Sequence, residues 1–486
     1  MPSCTLPCLS SLSRSPRRPL RRVVLSVLAG AATVAGAQDL TPKAPAQAGP
    51  IVIVGATVHP VSGPAIEDGV VWFDGGVIAG VSTAAEFRDL ETRVRWRAPL
   101  TRVDAGGKHV YPGLIAPYSQ LGLTEIQSIQ QTVDTSEAGG VSPEVRAVVA
   151  VNPDSTLLPV TRSNGVLTAG VFPTGGTVSG QPSVIRLDGW TTPEMTVEES
   201  IGIVMRWPNV RPFESRFFGR GEGQSDEEQA KAIRRNLDEV ERIFDTAAAY
   251  AAAKAADPAA PTDLRWEGMR SVFPARDAAA GGAPAGRLYV LAQDVDQITS
   301  AVAFATARGI RVVIVGGRDA PMCAELLKRH EVPVIVLGTH VLPRRDDAGY
   351  DEPYTLPARL EAAGIAFAIA NNDDTAHERN LPYSAAMAAA HGLDRERALR
   401  AVTLSAAEVL GVADRLGSLE VGKSATLLVT DGDPLAVTTK VERAYIDGRA
   451  IDLSNKQTKL AEKYRGRYRD AAATKPRSGQ DADERR

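Results

Sequence analysis

Between Arg287 and His391 the apolar and polar positions repeat with a regular rhythm. The near-continuous apolar runs Leu288 to Ala292, Arg311 to Val315, Pro333 to Leu337 and Ala366 to Ala370 read as strands. Between and after them, apolar residues recur at three- and four-residue spacing, predicting helices over Val295 to Arg308, Pro321 to His330, Leu356 to Ala363 and Leu381 to His391. Strands apolar on both faces and alternating with helices predict a parallel sheet with helices on its faces. Val110 to Ile115 and Val166 to Phe172 are upstream strands of the same kind. A closed (β/α)8 barrel and an open doubly wound sheet both fit this pattern. No Gly-rich phosphate loop opens any of the four helices, which removes the simplest nucleotide-binding version.

Both flanks differ from this middle. Ile51 to Thr57, Gly69 to Phe73 and Val77 to Val81 are β-branched runs cut by glycines, with a hairpin signal at Asp74-Gly75-Gly76. Ala425 to Thr430 and Val441 to Ile446, the latter followed by Asp447-Gly448, repeat the style near the other end. Residues 205–286 interrupt the rhythm with one long helix, Asp226 to Ala256, capped at Ser225 or Asp226, and with a Pro/Gly/Ala loop from Ala275 to Gly286. This insertion either shapes the mouth of a cleft or serves as a structural arm. Residues 38–49 read as a mobile linker. Beyond Leu453 the chain is charged and poor in apolar residues, so residues 454–486 are expected to be a partly disordered tail.

Composition changes the picture mainly at the N-terminus. Five arginines (Arg14, Arg17, Arg18, Arg21, Arg22) and no acid precede the apolar run Val23 to Val34, closed by Ala35-Gly36-Ala37. That is the layout of a signal peptide over residues 1–37. A run of about a dozen apolar residues is too short for a bilayer that needs ~20. The expected location is therefore exported, periplasmic or secreted, with no membrane span once the leader is removed. The whole chain carries a formal charge of −3 and the leader +5, leaving about −8 on the mature protein. Net acidity argues against nucleic acid as a partner. Cys4 and Cys8 leave with the leader, so Cys323 stands alone and reads as a buried structural thiol in a helix start capped by Asp319.

The stretch with the most chemical information runs from Val103 to Gly122: Val-Asp-Ala-Gly-Gly-Lys-His-Val-Tyr-Pro-Gly-Leu-Ile-Ala-Pro-Tyr-Ser-Gln-Leu-Gly. It resembles the first barrel strand of the amidohydrolase superfamily, especially its imidazolonepropionase-like members. Ala398 to Gly411 resembles the family's helix after the last barrel strand, and Arg415 to Val429 with Asp431-Gly-Asp-Pro434 its return into a β-sandwich. The resemblance covers most of residues 51–450. It implies an α/β fold: a distorted (β/α)8 TIM barrel over 110–411, with a small β-sandwich built from 50–109 and 412–453. The implied chemistry is hydrolysis of non-peptide C–N bonds by a water activated on zinc or a similar divalent metal.

Carrying the family's ligand positions over one by one exposes substitutions. The first-strand His-x-His falls on Tyr118 and Gln120. The fifth-strand histidine falls on Leu291 or Gln293, the sixth on Val315, and no lysine lies between Tyr111 and Ala230. The last-strand aspartate falls on Asn372, with Asp373 reachable by a one-residue shift. A phenol ionises only near ~10 and a neutral amide oxygen is a weak ligand. No metal or other cofactor is therefore expected. Of the six histidines, His59 and His109 belong to sandwich and turn, and His330 and His391 end helices. His340 and His377 lie near C-terminal strand ends, where barrel enzymes keep their sites. No Gly-x-Ser-x-Gly elbow appears. Thr174 to Ser183 is glycine-rich and reads either as an anion nest or as tight turns doubling the chain back.

The cleft-lining candidates are thus Tyr118, Gln120, Gln293, His340, Asn372, Asp373 and His377. The leading reading is an exported amidohydrolase-family protein that has lost its metal centre and keeps a barrel cleft for a small-molecule ligand. Two others stand beside it: an active hydrolase of cyclic amides, imides or dipeptides with an atypical site, and a non-catalytic protein-interaction module. Pairing into a homo-oligomer fits all three.

Overall fold

The β-branched run at residue 51 becomes β1 (Ile51–Val58), in which Val52, Ile53, Ala56 and Val58 are buried. It pairs antiparallel with β2 (Ile66–Asp74), which turns into β3 (Val77–Thr83). The turn needs Gly75 and Gly76, at φ 58° and 85°, a region open to glycine at no steric cost. β4 (Thr101–Asp104) and β5 (His109–Pro112) join β1 in parallel. The computed structural model describes residues 39–474 except 94, 95, 97, 213–224, 275–285, 346, 372 and 373. The chain divides into Met1–Asp39 and Leu40–Arg486, and the described strands and helices all belong to the second unit. The expected leader, most of the Ala275 to Gly286 loop, and the last dozen residues lie outside the described residues.

The single strand expected over Val110 to Ile115 is two strands. β5 belongs to the sandwich, while β6 (Leu114–Ser119) opens the barrel. The division falls at Gly113, where a Cβ would lie 2.9 Å from Leu167 Cδ1 and 3.0 Å from Thr426 Cγ2. The chain passes there from one layer to the other with no room for a side chain.

β6 pairs in parallel with β7 (Val166–Val171). The chain then makes two short strands, β8 (Val178–Gly180) and β9 (Ser183–Arg186), followed by β10 (Thr196–Glu198) against β9. β9 runs antiparallel to β7, and β8 antiparallel to β11 (Gly202–Arg206). From β11 the regular pattern takes over: β12 (Arg287–Ala292), β13 (Val312–Gly316), β14 (Val334–Leu337) and β15 (Phe367–Ala370) pair in parallel in chain order. β15 packs back against β6. The barrel is thus distorted: seven parallel strands, with β9 added antiparallel to β7 and β8 antiparallel to β11 where the two runs of parallel strands meet.

Both faces of these strands are buried, which is why their sequences read as continuous apolar runs. Ile115, Phe172, Tyr289, Val313, Val315 and Ile335 fill the barrel interior. Leu114, Leu288, Val290, Ile314, Val334 and Ile369 face the helical layer, where Ile298, Val302, Leu327 and Leu360 meet them.

The chain returns to the sandwich through β16 (Leu427–Thr430), which pairs antiparallel with β5, then β17 (Val441–Ile446) and β18 (Arg449–Ala450). Ile53, Phe73, Val110, Leu427 and Tyr445 form its core.

Three other expectations are refined. Residues 39–49 are not a free linker. Ala44 is buried, its N–H reaches the Asp188 carboxylate, and the carbonyl of Pro42 accepts from buried Arg162. Asp188 is itself gripped by Arg162 and Arg449, each at 2.8 Å. The charged segment after Leu453 contains a helix, Lys456–Thr474. Asp319 stands at the N-cap of the turn that leads to Cys323, but its side chain makes no cap hydrogen bond, because Arg318 and Arg345 hold its carboxylate. Cys323 is buried, and desolvation pushes its thiol up to about 11, as a structural thiol requires.

The inserted helix Asp226–Ala256 starts at a capping box of Ser225 with Glu228. It buries Val240, Ile243, Phe244 and Ala247, one stripe at helical spacing. Phe244 meets Phe304 edge-to-face with centroids 5.0 Å apart, and Arg308 pairs with Glu241 and Asp245. The helix is an arm on the barrel's outer layer. The glycine-rich stretch after β7 is a doubled-back turn. Its Thr174, Thr177, Val178 and Gln181 amides donate to carbonyls of Thr135, Gly140 and Val145, so they are not left facing an anion.

Candidate functional site

At the C-terminal ends of the parallel strands, the first candidate is Tyr118. A register shift in the β6–β7 ladder puts Ile115 and Tyr118 on the same, inward side although they are three residues apart. The Tyr118 ring lies 4.7 Å from Phe172, which sits edge-on to Tyr289 at 5.2 Å. Tyr289 donates its hydroxyl to the carbonyl of Val409 at 3.0 Å. Aromatic surface therefore fills the barrel axis beneath the mouth. Desolvation raises the Tyr118 phenol above its ordinary value, against a smaller opposing pull from Arg206.

Ser119 follows, buried, and donates to Glu378 Oε2 at 2.9 Å. Glu378 is 2% exposed, and its Oε1 has no hydrogen-bond partner. Burial pushes its carboxyl up to about 8, with the Ser119 hydrogen bond pulling the other way. Sequence reading missed this pair. Glu378 lies in the turn after the last barrel strand, next to Arg379 in the chain, and nothing local marks it as buried.

Gln120 is half-buried just past β6, its carbonyl accepting from Leu123 N–H. Leu291 packs with the interior cluster and Val315 is fully buried in it. Gln293 lies over Gly316, where a Cβ would come within 2.3 Å of its Nε2. Together they border a cleft of about 550 Å³, open mouth included. Its polar groups are Gln293, Arg318, Arg344 and Glu352, and its walls include Val336, Leu337, Leu342 and Leu356. Glu352 is 8% exposed; its Oε1 accepts from Arg345 at 3.4 Å, and its Oε2 has no partner. Arg318 and Arg344 were also missed. Arg318, just past the end of β13 in Gly316-Gly317-Arg318, is marked by that position, whereas Arg344 reaches the cleft from the loop after β14.

His340 is exposed and lines a second cleft with Asn371, Asn380, Tyr383 and Ser384. The two clefts share Gly338 and Val341. His377 is exposed, and its carbonyl accepts from Asn371 Nδ2 at 3.1 Å. Asn372 and Asp373 lie outside the described residues. The structure therefore sets Tyr118 on the aromatic floor, Gln293 in one cleft and His340 in its neighbour.

The donor set at the expected ligand positions is a phenol, amides and two aliphatic side chains. No group of three His, Cys, Asp or Glu side chains converges among the described residues. These residues do not fit a zinc or manganese ion, which takes imidazole, thiolate or carboxylate.

The amidohydrolase family model matches residues 293–451. Amidohydrolase tasK of Hapsidospora irregularis is 23% identical over 439 residues, an alignment covering 81% of this chain and 42% of tasK. The imidazolonepropionase of Syntrophobacter fumaroxidans is 38% identical over 87 residues, 17% of this chain and 20% of that enzyme. The chain spans less than half the length of these curated relatives. The solved amidohydrolase of Thermotoga maritima superposes with a TM-score of 0.68 at 23% identity, covering 83% of this chain and 99% of that one. That likeness establishes the distorted barrel. The family model over residues 293–451 and these relatives support the amidohydrolase superfamily, and the likeness extends to the imidazolonepropionases.

Proposed function

We propose that this is an exported amidohydrolase-fold protein that has lost metal-dependent hydrolysis and uses its barrel cleft to bind a small molecule. The observation that carries the reading is the set of side chains at the strand ends. Tyr118 stacks on Phe172 and Val315 is sealed in the interior, where a hydrolase of this family would present imidazoles. The cleft beside them keeps the proportions of a ligand site, with an apolar wall and a few polar groups. The rival reading, a hydrolase with an atypical site around Tyr118, Gln120, Gln293, His340 and Asp373, needs Gln293 and His340 to act together, yet these two line different clefts. Export is supported by the basic and apolar leader pattern of residues 1–37.

The test compares wild type with Tyr118→His/Gln120→His, each supplied with zinc or manganese and assayed on cyclic imides and dipeptides. Wild type is expected to be inactive. Metal-dependent turnover by wild type overturns the proposal. A thermal-shift screen of small amides and carboxylates, with Leu337→Trp as the blocked control, tests binding. Ligands that stabilise wild type and not Leu337→Trp support the cleft. Stabilisation unaffected by the block places binding elsewhere and counts against it.

A further inference from the structure

Away from the barrel mouth, the sandwich brings two histidines together. His59 follows β1 and His109 opens β5, the strand paired with it; His59 Nε2 and His109 Nδ1 stand 3.0 Å apart. Both rings are half-buried, within reach of solvent. His59 is held by its backbone N–H on the Val110 carbonyl at 2.8 Å and by stacking on Tyr111, 4.2 Å between centroids and 10° from parallel. His109 is held in the ladder opposite Thr430. The charge of Asp433 acts on both His59 and Tyr111. Its carboxylate is already engaged by Arg395 and by Leu435 N–H, so it supplies field rather than a ligand atom.

We propose that His59 and His109 form a two-imidazole clamp for a tetragonal divalent metal, of which copper(II) fits best. With metal–nitrogen bonds of about 2.0–2.1 Å, two ligands at a right angle stand about 2.9 Å apart and two tetrahedral ligands about 3.4 Å. The observed spacing, set in the free protein by the imidazole–imidazole hydrogen bond, is also close to the right-angled case, which nitrogen and oxygen donors give to copper(II) or nickel(II), and copper(II) is bound more tightly of the two. In the free protein the two facing nitrogens share one hydrogen. On binding, that hydrogen moves through solvent to the far nitrogen of its own ring, so both facing lone pairs reach the metal without net proton release. Water completes the coordination. This site is independent of the barrel cleft and of its proposed role.

The test is copper(II) titration of the untagged full chain, followed by calorimetry and electron paramagnetic resonance. One saturable site per chain with nitrogen hyperfine structure is expected. His59→Gln and His109→Gln keep a hydrogen-bonding side chain, and each should weaken binding about tenfold or more. His340→Ala/His377→Ala should leave it unchanged. Circular dichroism confirms that each variant is folded, and one folded single variant suffices. The proposal is overturned by the absence of a saturable site in wild type, or by affinity that a folded His59→Gln or His109→Gln variant leaves intact.

Discussion

Replacing Glu378 with glutamine isolates the cost of a carboxyl buried behind the first barrel strand. In the folded chain this group titrates near about 8 because burial disfavours its charge, against an ordinary value of 4.5. A folded-state value above the unfolded one means that the native state binds the proton more tightly. Its stabilising contribution is therefore complete below 4.5 and is lost as pH rises through about 8. At 1.36 kcal/mol per pH unit that interval corresponds to about 5 kcal/mol, and roughly 3–5 kcal/mol is a fair expectation after relaxation around the charge. Glu378→Gln keeps the shape and cannot ionise. Near pH 5 it should lie within about 1 kcal/mol of wild type, since an amide still accepts from Ser119. Near pH 9 it should be more stable than wild type by roughly 3–5 kcal/mol. Urea unfolding of both proteins across that range gives the difference directly, with other titrating groups cancelling. A flat difference from pH 5 to 9 would refute the assignment.

Other perturbations read other parts of the fold. Asp188→Asn removes the carboxylate that buried Arg162, 2% exposed, and Arg449 both grip, and should cost about 3–5 kcal/mol in denaturant unfolding; a loss near ~0.5 kcal/mol would show that the pair is not a keystone. Phe244→Ala removes a fully buried ring from under the arm helix and should cost about 3–5 kcal/mol. Hydrogen exchange should then quicken in Asp226–Ala256 and leave the β12–β15 strands protected; uniform quickening would mean that the arm and barrel unfold as one.

Much of the barrel was legible because its strands are buried on both faces. Such runs as Val-Val-Ile-Val at 312–315 have no alternative as loops, and the turns between them are marked by glycines at Gly309, Gly316 and Gly364. The missing pieces depended on contacts far apart in sequence. Nothing near Pro42 announces that Arg162 and Asp188, more than a hundred residues on, will hold it down. Gly113 stops a strand because Leu167 and Thr426 stand against it, and neither is a local feature. The site divides the same way. Tyr118, Gln120 and Gln293 could be named from a one-dimensional frame, whereas Arg344 and Glu352 join Gln293 through the folded loop after β14.

The aromatic floor bears on what reversal of the first-strand substitutions can achieve. Tyr118 is not an isolated replacement for a histidine, because its ring continues a stack through Phe172 to Tyr289 and on to the Val409 carbonyl. An imidazole in its place covers less of Phe172 and leaves a smaller apolar contact, at a cost of about 1–2 kcal/mol for the lost surface. The partner positions compound this. Val315 and Leu291 pack in the same interior, so a metal held by two restored imidazoles at 118 and 120 would face aliphatic walls instead of further donors. Two imidazoles without a third ligand hold zinc, which is tetrahedral, only weakly, and a hydrolytic zinc centre needs three protein ligands with an open position for water. Tyr118→His/Gln120→His is therefore expected to gain weak zinc affinity and no turnover. Turnover should require donors at Gln293 or Val315 as well, and the double variant alone regaining hydrolysis would show that the described strand ends are more permissive than their packing indicates.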